Sequence, residues 1–239
     1  MRNFLFVAIF CLAAFLQCQA QEFIEIPMYD GIKTPELKQI NDRFIAEVVK
    51  DFGSREAAAK DALKRGWAYM AKADWKFATR RFNQAWLLTP DNGEVFWGFG
   101  TATAYAGRYE EAEKYFSKAE LTLKDNGRFL SDFALFYLYR ANNRAKNKIG
   151  FGLDYIFREQ YDPKWKADVA QYLDKALEFS ERASKVAPNE KLAFINWAQA
   201  LYGKDNYREA WGKVAKAEEL GGQLNPKFIK ALSKKMKRP

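Results

Sequence analysis

Four alanines recur in phase along this chain: Ala78, Ala112, Ala176 and Ala210. The first and third intervals are 34 residues and the second is 64, so a single offset of 30 interrupts an otherwise fixed period. A period of this length marks a chain of stacked helical units, each unable to bury its apolar face alone. The offset marks one insertion. Such an architecture is a binding scaffold before it is anything else, and the ladder by itself names no ligand.

Each ladder alanine sits in a wider pattern. The first unit reads Gly66, Tyr69, Asp74-Trp75, Ala78, Phe82, Ala85 and Pro90; the second reads Gly100, Gly107-Arg108-Tyr109, Ala112, Phe116 and Ala119. The third keeps Phe133-Ala134 and, beyond the insertion, Ala176, Ser180, Ala183 and Pro188; the fourth reads Trp197-Ala198, Asp205-Asn206-Tyr207, Ala210, Val214 and Ala217. Small residues at Gly66, Gly100, Ala134 and Ala198 suit places where two helices approach closely. Phe82 and Phe116 follow their ladder alanines by four positions, on the same helix face. Pro90 and Pro188 suit helix ends, because proline cannot donate the next backbone bond.

Over roughly residues 58–222 this pattern resembles the tetratricopeptide repeat (TPR), a helix–turn–helix unit of 34 residues. The fourth unit departs from it, with Gly221-Gly222 where the proline would stand. The resemblance implies an all-α fold. Its form would be a TPR-type helical-hairpin solenoid with N- and C-terminal capping helices and an insertion in the third repeat, about residues 144–173.

Residues 1–20 have the make-up of a secretory signal peptide. Arg2 supplies the positive start, Phe4 to Leu16 is an apolar run of 13, and Cys18-Gln19-Ala20 precedes a cleavage site before Gln21. The run is too short to favour a membrane-spanning helix. Acylation of Cys18 would instead give a lipoprotein, which Gln17 disfavours because the lipobox wants a small residue there. Both cysteines, Cys11 and Cys18, precede Gln21, so the exported chain carries none. A periplasmic or secreted bacterial protein is the expectation. The net charge is +9, and removing Arg2 leaves +8. That excess permits contact with anionic lipid or acidic polymers, although lysine-solvated helix faces need no partner.

Residues 21–57 form an N-terminal segment: an extended stretch over 21–33, with Pro27 and Gly31 as breakers, then a helix from Thr34-Pro35 to about Phe52. Gly53 suits the end of that helix and Ser54 the next N-cap. The helix is placed to shield the open face of the first repeat. Residues 223–239 form a second cap, starting at Asn225-Pro226, with Phe228, Ile229 and Leu232 on one side and a basic remainder. The insertion loop proper, near 147–161, carries Phe151, Tyr155, Phe157 and Tyr161. Loops this long in compact domains are commonly functional or folded back on themselves.

Catalytic motifs are absent. With no histidine and no cysteine after Gln21, triads, thiolate nucleophiles and the usual zinc sites are excluded. No calcium-loop spacing or phosphate loop appears, and the glycines at Gly98 and Gly100 are explained by helix packing. Adjacent carboxylates at Glu110-Glu111 and Glu218-Glu219 diverge around the helix and read as solvated. The expectation is a non-enzyme with no cofactor, no metal and no nucleic-acid partner.

In TPR proteins the first helix of each pair lines a concave side that holds peptides or partner helices. Carried onto this chain, the resemblance implies a partner-binding surface of Trp67, Met70, Trp97, Thr101, Tyr105, Arg128, Tyr139 and Tyr202, with Leu63, Ser131, Leu135 and Gln199 beside them. Its aromatic content suits a protein interface. Leu63 and Trp67 stand where the carboxylate-clamp subfamily needs lysine and asparagine, so that ligand class is disfavoured. Two arrangements stay open: an accessible groove, or one covered by the insertion or by residues 21–33. A basic patch of Arg140, Arg144, Lys146, Lys148, Lys234, Lys235, Lys237 and Arg238 supports an alternative, electrostatic contact with an anionic membrane surface or acidic envelope polymer.

Overall fold

The computed structural model describes residues 25–146 and 166–239, with side chains placed for 25–142 and 166–239. Among these residues there are ten helices and no strand. They are α1 (Pro35–Phe52), α2 (Arg55–Met70), α3 (Trp75–Leu88), α4 (Gly93–Tyr105), α5 (Tyr109–Leu123), α6 (Gly127–Lys146), α7 (Lys166–Val186), α8 (Lys191–Gly203), α9 (Tyr207–Glu219) and α10 (Pro226–Lys235). The fold is all-α and built from helical hairpins. It divides into two compact units: the residues up to Ala106 with Glu110–Ala119, and Gly107–Tyr109 with Glu120–Pro239.

In the first unit the helix ends follow local chemistry. The Thr34 hydroxyl accepts from the Leu37 amide at 3.1 Å, and the Ser54 hydroxyl from the Ala57 amide at 3.0 Å, so each satisfies a donor that the first turn leaves open. Between them Gly53 takes a left-handed conformation, φ 81°, and ends α1. Helix α1 lays Phe44, Ile45, Val48 and Val49 over Ala58, Ala59 and Leu88, covering the open side of the α2–α3 hairpin. Phe82 of α3 is fully buried where Gly66 of α2 and Gly98 of α4 leave room for its ring. Phe116 fills the corresponding space beside Gly100.

The second unit pairs α6 with α7 and α8 with α9, and α8 packs on both α6 and α7. Phe133 and Phe179 meet at 4.2 Å between ring centroids. The buried Asn196 side chain donates to the Ser131 carbonyl at 2.8 Å, tying α8 to α6. Ser180 and Val214 stand where the first two repeats carry phenylalanine, so the aromatic filling comes from neighbouring positions instead. All four ladder alanines are fully excluded from solvent, at 0% exposure, as are Ala85, Ala119, Ala183 and Ala217 seven residues on.

Three hairpin corners use one backbone device. Ala73, Gly107 and Asp205, each five residues before a ladder alanine, have φ of 57°, 78° and 58°. Only the middle corner uses glycine, the residue that takes this conformation without a Cβ penalty.

Within the segment expected to be extended, the described residues include a turn. Residues Pro27–Gly31 form a tight turn in which Met28, Tyr29 and Asp30 are left-handed, with φ of 51°, 55° and 54°. The cause lies on α3. The buried Asn83 side chain accepts from the Met28 amide at 2.7 Å and donates to the Ile26 carbonyl at 2.8 Å. Tyr29 is buried with its ring edge-on to Trp86, and Glu25 pairs with Arg80 at 2.5 Å.

Candidate partner-binding surface

In the first unit, Trp67 of α2 and Trp97 of α4 lie side by side, their ring centroids 4.8 Å apart with planes inclined at 59°. Trp67 also meets Phe82 edge-on at 5.4 Å. Beside Gly66 and Gly98 the two helices approach closely enough for this contact. The result is part core, part surface: Trp67 is half-buried, whereas Trp97 and Met70 are buried. Trp97, Thr101 and Tyr105 follow at four-residue steps along one stripe of α4, and exposure rises along it to 36% at Tyr105. Thr101 spends its hydroxyl locally, donating to the Trp97 carbonyl at 3.0 Å. Leu63 is buried.

Glu25, Ile26 and the turn at residues 27–31 make their contacts with Arg80, Asn83 and Trp86 on α3.

In the second unit the expected surface residues separate. Arg128 is exposed and pairs along its own helix with Asp132 at 3.5 Å, and Tyr139 and Leu135 are half-buried. Ser131 and Gln199 are core. Tyr202, expected on the partner-binding surface, is buried instead, at 6% exposure. Its ring meets Phe228 of α10 at 5.8 Å and Tyr207 at 5.5 Å, so contacts within the fold bury it.

The basic patch changes in one member. Arg140 is 9% exposed rather than solvated. Its guanidinium donates to the Tyr172 hydroxyl and lies 4.6 Å from the centre of that ring. A cation held against an aromatic face across two helices is a packing element, and it offers little charge to a polyanion. On and beyond α10, Lys230, Lys234, Lys235, Lys237 and Arg238 are exposed. Arg238 pairs with Glu218 at 2.6 Å and covers Trp211, whose indole nitrogen donates to the Met236 carbonyl at 3.0 Å. The side chains of Arg144 and Lys146, together with Lys148 and the insertion aromatics Phe151, Tyr155, Phe157 and Tyr161, lie outside the described residues.

Among the described residues no cluster of three or more histidine, cysteine, aspartate or glutamate side chains is placed to hold a metal ion, and no helix is long and apolar enough to cross a membrane. Sequence reasoning missed Tyr29 and Trp86, which line a cavity beside α1. The signal was an aromatic pair 57 residues apart, which no local pattern connects.

No protein-family model matches the chain, and no curated protein matches it. One similar solved structure is described as a functional characterization of pilF from Pseudomonas aeruginosa. It is 16% identical, covers 75% of this chain and 85% of that one, and has a TM-score of 0.39. The all-α helical-hairpin architecture rests on the chain's own helix pairs and buried alanine ladder.

Proposed function

We propose that this chain is a non-catalytic protein–protein interaction scaffold of the bacterial periplasm or cell envelope. It binds a peptide or protein partner through the inner aromatic faces of its helix pairs. The observation that carries this reading is the Trp67–Trp97 pair continuing into Thr101 and the exposed Tyr105. A rigid aromatic base with a more accessible edge is the form of anchor that protein interfaces use, since such rings give large contact area at little entropic cost. The export half of the reading rests on residues 1–20 and on the absence of cysteine after Gln21.

Affinity capture from envelope extract, with wild type and with Trp67→Ala/Tyr105→Ala, tests the surface. The expected result is a partner lost from the variant while its thermal unfolding stays cooperative. The same partners on both proteins would sink the surface assignment. N-terminal sequencing of the exported chain should begin at Gln21, and a chain retained in the cytoplasm would overturn the location.

The second reading, electrostatic attachment to an anionic membrane surface or acidic polymer, is favoured by the exposed lysines of α10 and by the lack of any acid after Glu219. Co-sedimentation with anionic vesicles should fall steeply with salt and fall further on truncation after Leu232. Binding indifferent to salt would remove this reading.

A further inference from the structure

A cavity of about 570 Å³ opens in the first unit between the tight turn at 27–31, the first turns of α1 and the C-terminal part of α3. Its volume is that of a small-molecule site. The walls are mainly apolar: Ile32, Leu37, Ile45, Trp86 and Leu87 line it and all five are only half-buried. These side chains are incompletely satisfied by the fold and would gain from an apolar occupant.

Three polar features select the occupant's head group. Tyr29 lines the cavity at 6% exposure, and among the described residues its hydroxyl makes no hydrogen bond. Burial pushes that phenol up to about 12, so it remains a donor at neutral pH. Lys33 also lines the cavity, exposed and in no ion pair among the described residues, whereas Lys38 and Asp42, which line it too, pair with each other at 2.6 Å. Finally, Thr34, Pro35 and Leu37 bring the positive end of α1, an 18-residue helix, to the same cavity. A cation, a donor and a helix N-terminus all favour an anion.

We propose that this cavity binds a small amphiphilic carboxylate, an aliphatic chain ending in a carboxylate group. The tail lies against Ile32, Leu37, Ile45 and Trp86. The head accepts from the Tyr29 hydroxyl and pairs with Lys33. This site is separate from the Trp67–Trp97 stripe, and the two readings stand or fall independently.

Calorimetric titration of the full chain with decanoate, decanol and decyltrimethylammonium, all below their micelle concentrations, tests the proposal. Decanoate should bind saturably, one molecule per chain, more tightly than decanol, with no saturable binding of the ammonium. Lys33→Gln should weaken decanoate about threefold, as for a solvent-screened ion pair. Tyr29→Phe should weaken it about fivefold, as for one hydrogen bond. Asn41→Trp, on the α1 side of the cavity, should block binding and leave the melting transition in place. Equal binding of decanoate and decanol would reject the carboxylate selectivity. Saturable binding of the ammonium, undiminished binding to Asn41→Trp, or no saturable heat with decanoate would each overturn the proposal.

Discussion

Phe82 occupies the space that Gly66 leaves by having no side chain: a methyl group on Gly66 would stand 2.3 Å from the Phe82 ring. The ring cannot retreat, because a Cβ on Gly98 would meet it from another direction at 2.7 Å and the residue is fully buried. Gly66→Ala should therefore destabilise the first unit despite the better helix propensity of alanine. Overpacking costs about 1–3 kcal/mol and the propensity gain offsets about 1 kcal/mol of it. Adding Phe82→Leu to Gly66→Ala should recover part of the loss, so that the double variant is more stable than the two single losses predict. Additive losses in a denaturation cycle would show that the two sites are uncoupled.

The corner at Ala73 carries a left-handed backbone with a Cβ, φ 57°, where Gly107 serves the equivalent corner at φ 78°. Ala73→Gly should raise stability by about 0.5–1 kcal/mol, and Gly107→Ala should lower it by at least that much, both read from chemical denaturation. Asp205→Gly should gain less than Ala73→Gly. Aspartate tolerates this conformation, and Asp205 accepts a hydrogen bond from the Tyr207 hydroxyl.

Burial raises the Tyr29 phenol from 10.0 to about 12, which favours the protonated form in the folded chain. Its contribution to stability is complete below pH 10 and is lost as pH climbs through about 12, because unfolding then releases a proton that the native state holds. Ultraviolet titration should show a late tyrosine ionisation step near pH 12. Tyr29→Phe should abolish that late step and reduce the alkaline loss of stability by about 2–3 kcal/mol. An unchanged alkaline profile would show that Tyr29 is solvated.

Asn83 holds the N-terminal turn through both ends of its amide. Asn83→Ala should speed hydrogen exchange over residues 25–33 by about tenfold or more, in line with the about 1–3 kcal/mol lost when buried hydrogen-bond groups are orphaned. Exchange within α4 should stay near wild type. Unaltered exchange of the turn would mean that Tyr29 and Glu25 suffice to hold it.

Phe228→Ala should uncover Tyr202 and cost about 3–5 kcal/mol if the site does not collapse. Tyr202 fluorescence and surface labelling would then rise together. Labelling as slow as in wild type would indicate that Leu232 alone keeps the cap closed.

The readable parts of this fold are those decided within a few residues of one another. Thr34, Gly53, Ser54 and Asn225 act on their own helix ends, and the alanine ladder repeats at a fixed step, so both were visible in the sequence. The turn at 27–31 was not, because its conformation is imposed by Asn83, 55 residues from Met28. Arg140 looked like one cation in a basic run, and its neighbour Tyr172, 32 residues away, turned it into core. Tyr202 fell on the expected inner face by repeat phase, but repeat phase carries no information about which residue a capping helix will set against it.

Helix α10 buries Phe228 and Leu232 completely while the rest of it is lined with exposed lysine. A further hairpin stacked beyond α8 and α9 would have to displace both apolar side chains before it could bury its own. Helix α10 thus acts as a lid on the apolar end of the α8–α9 hairpin, sealed by two side chains and wetted by the rest.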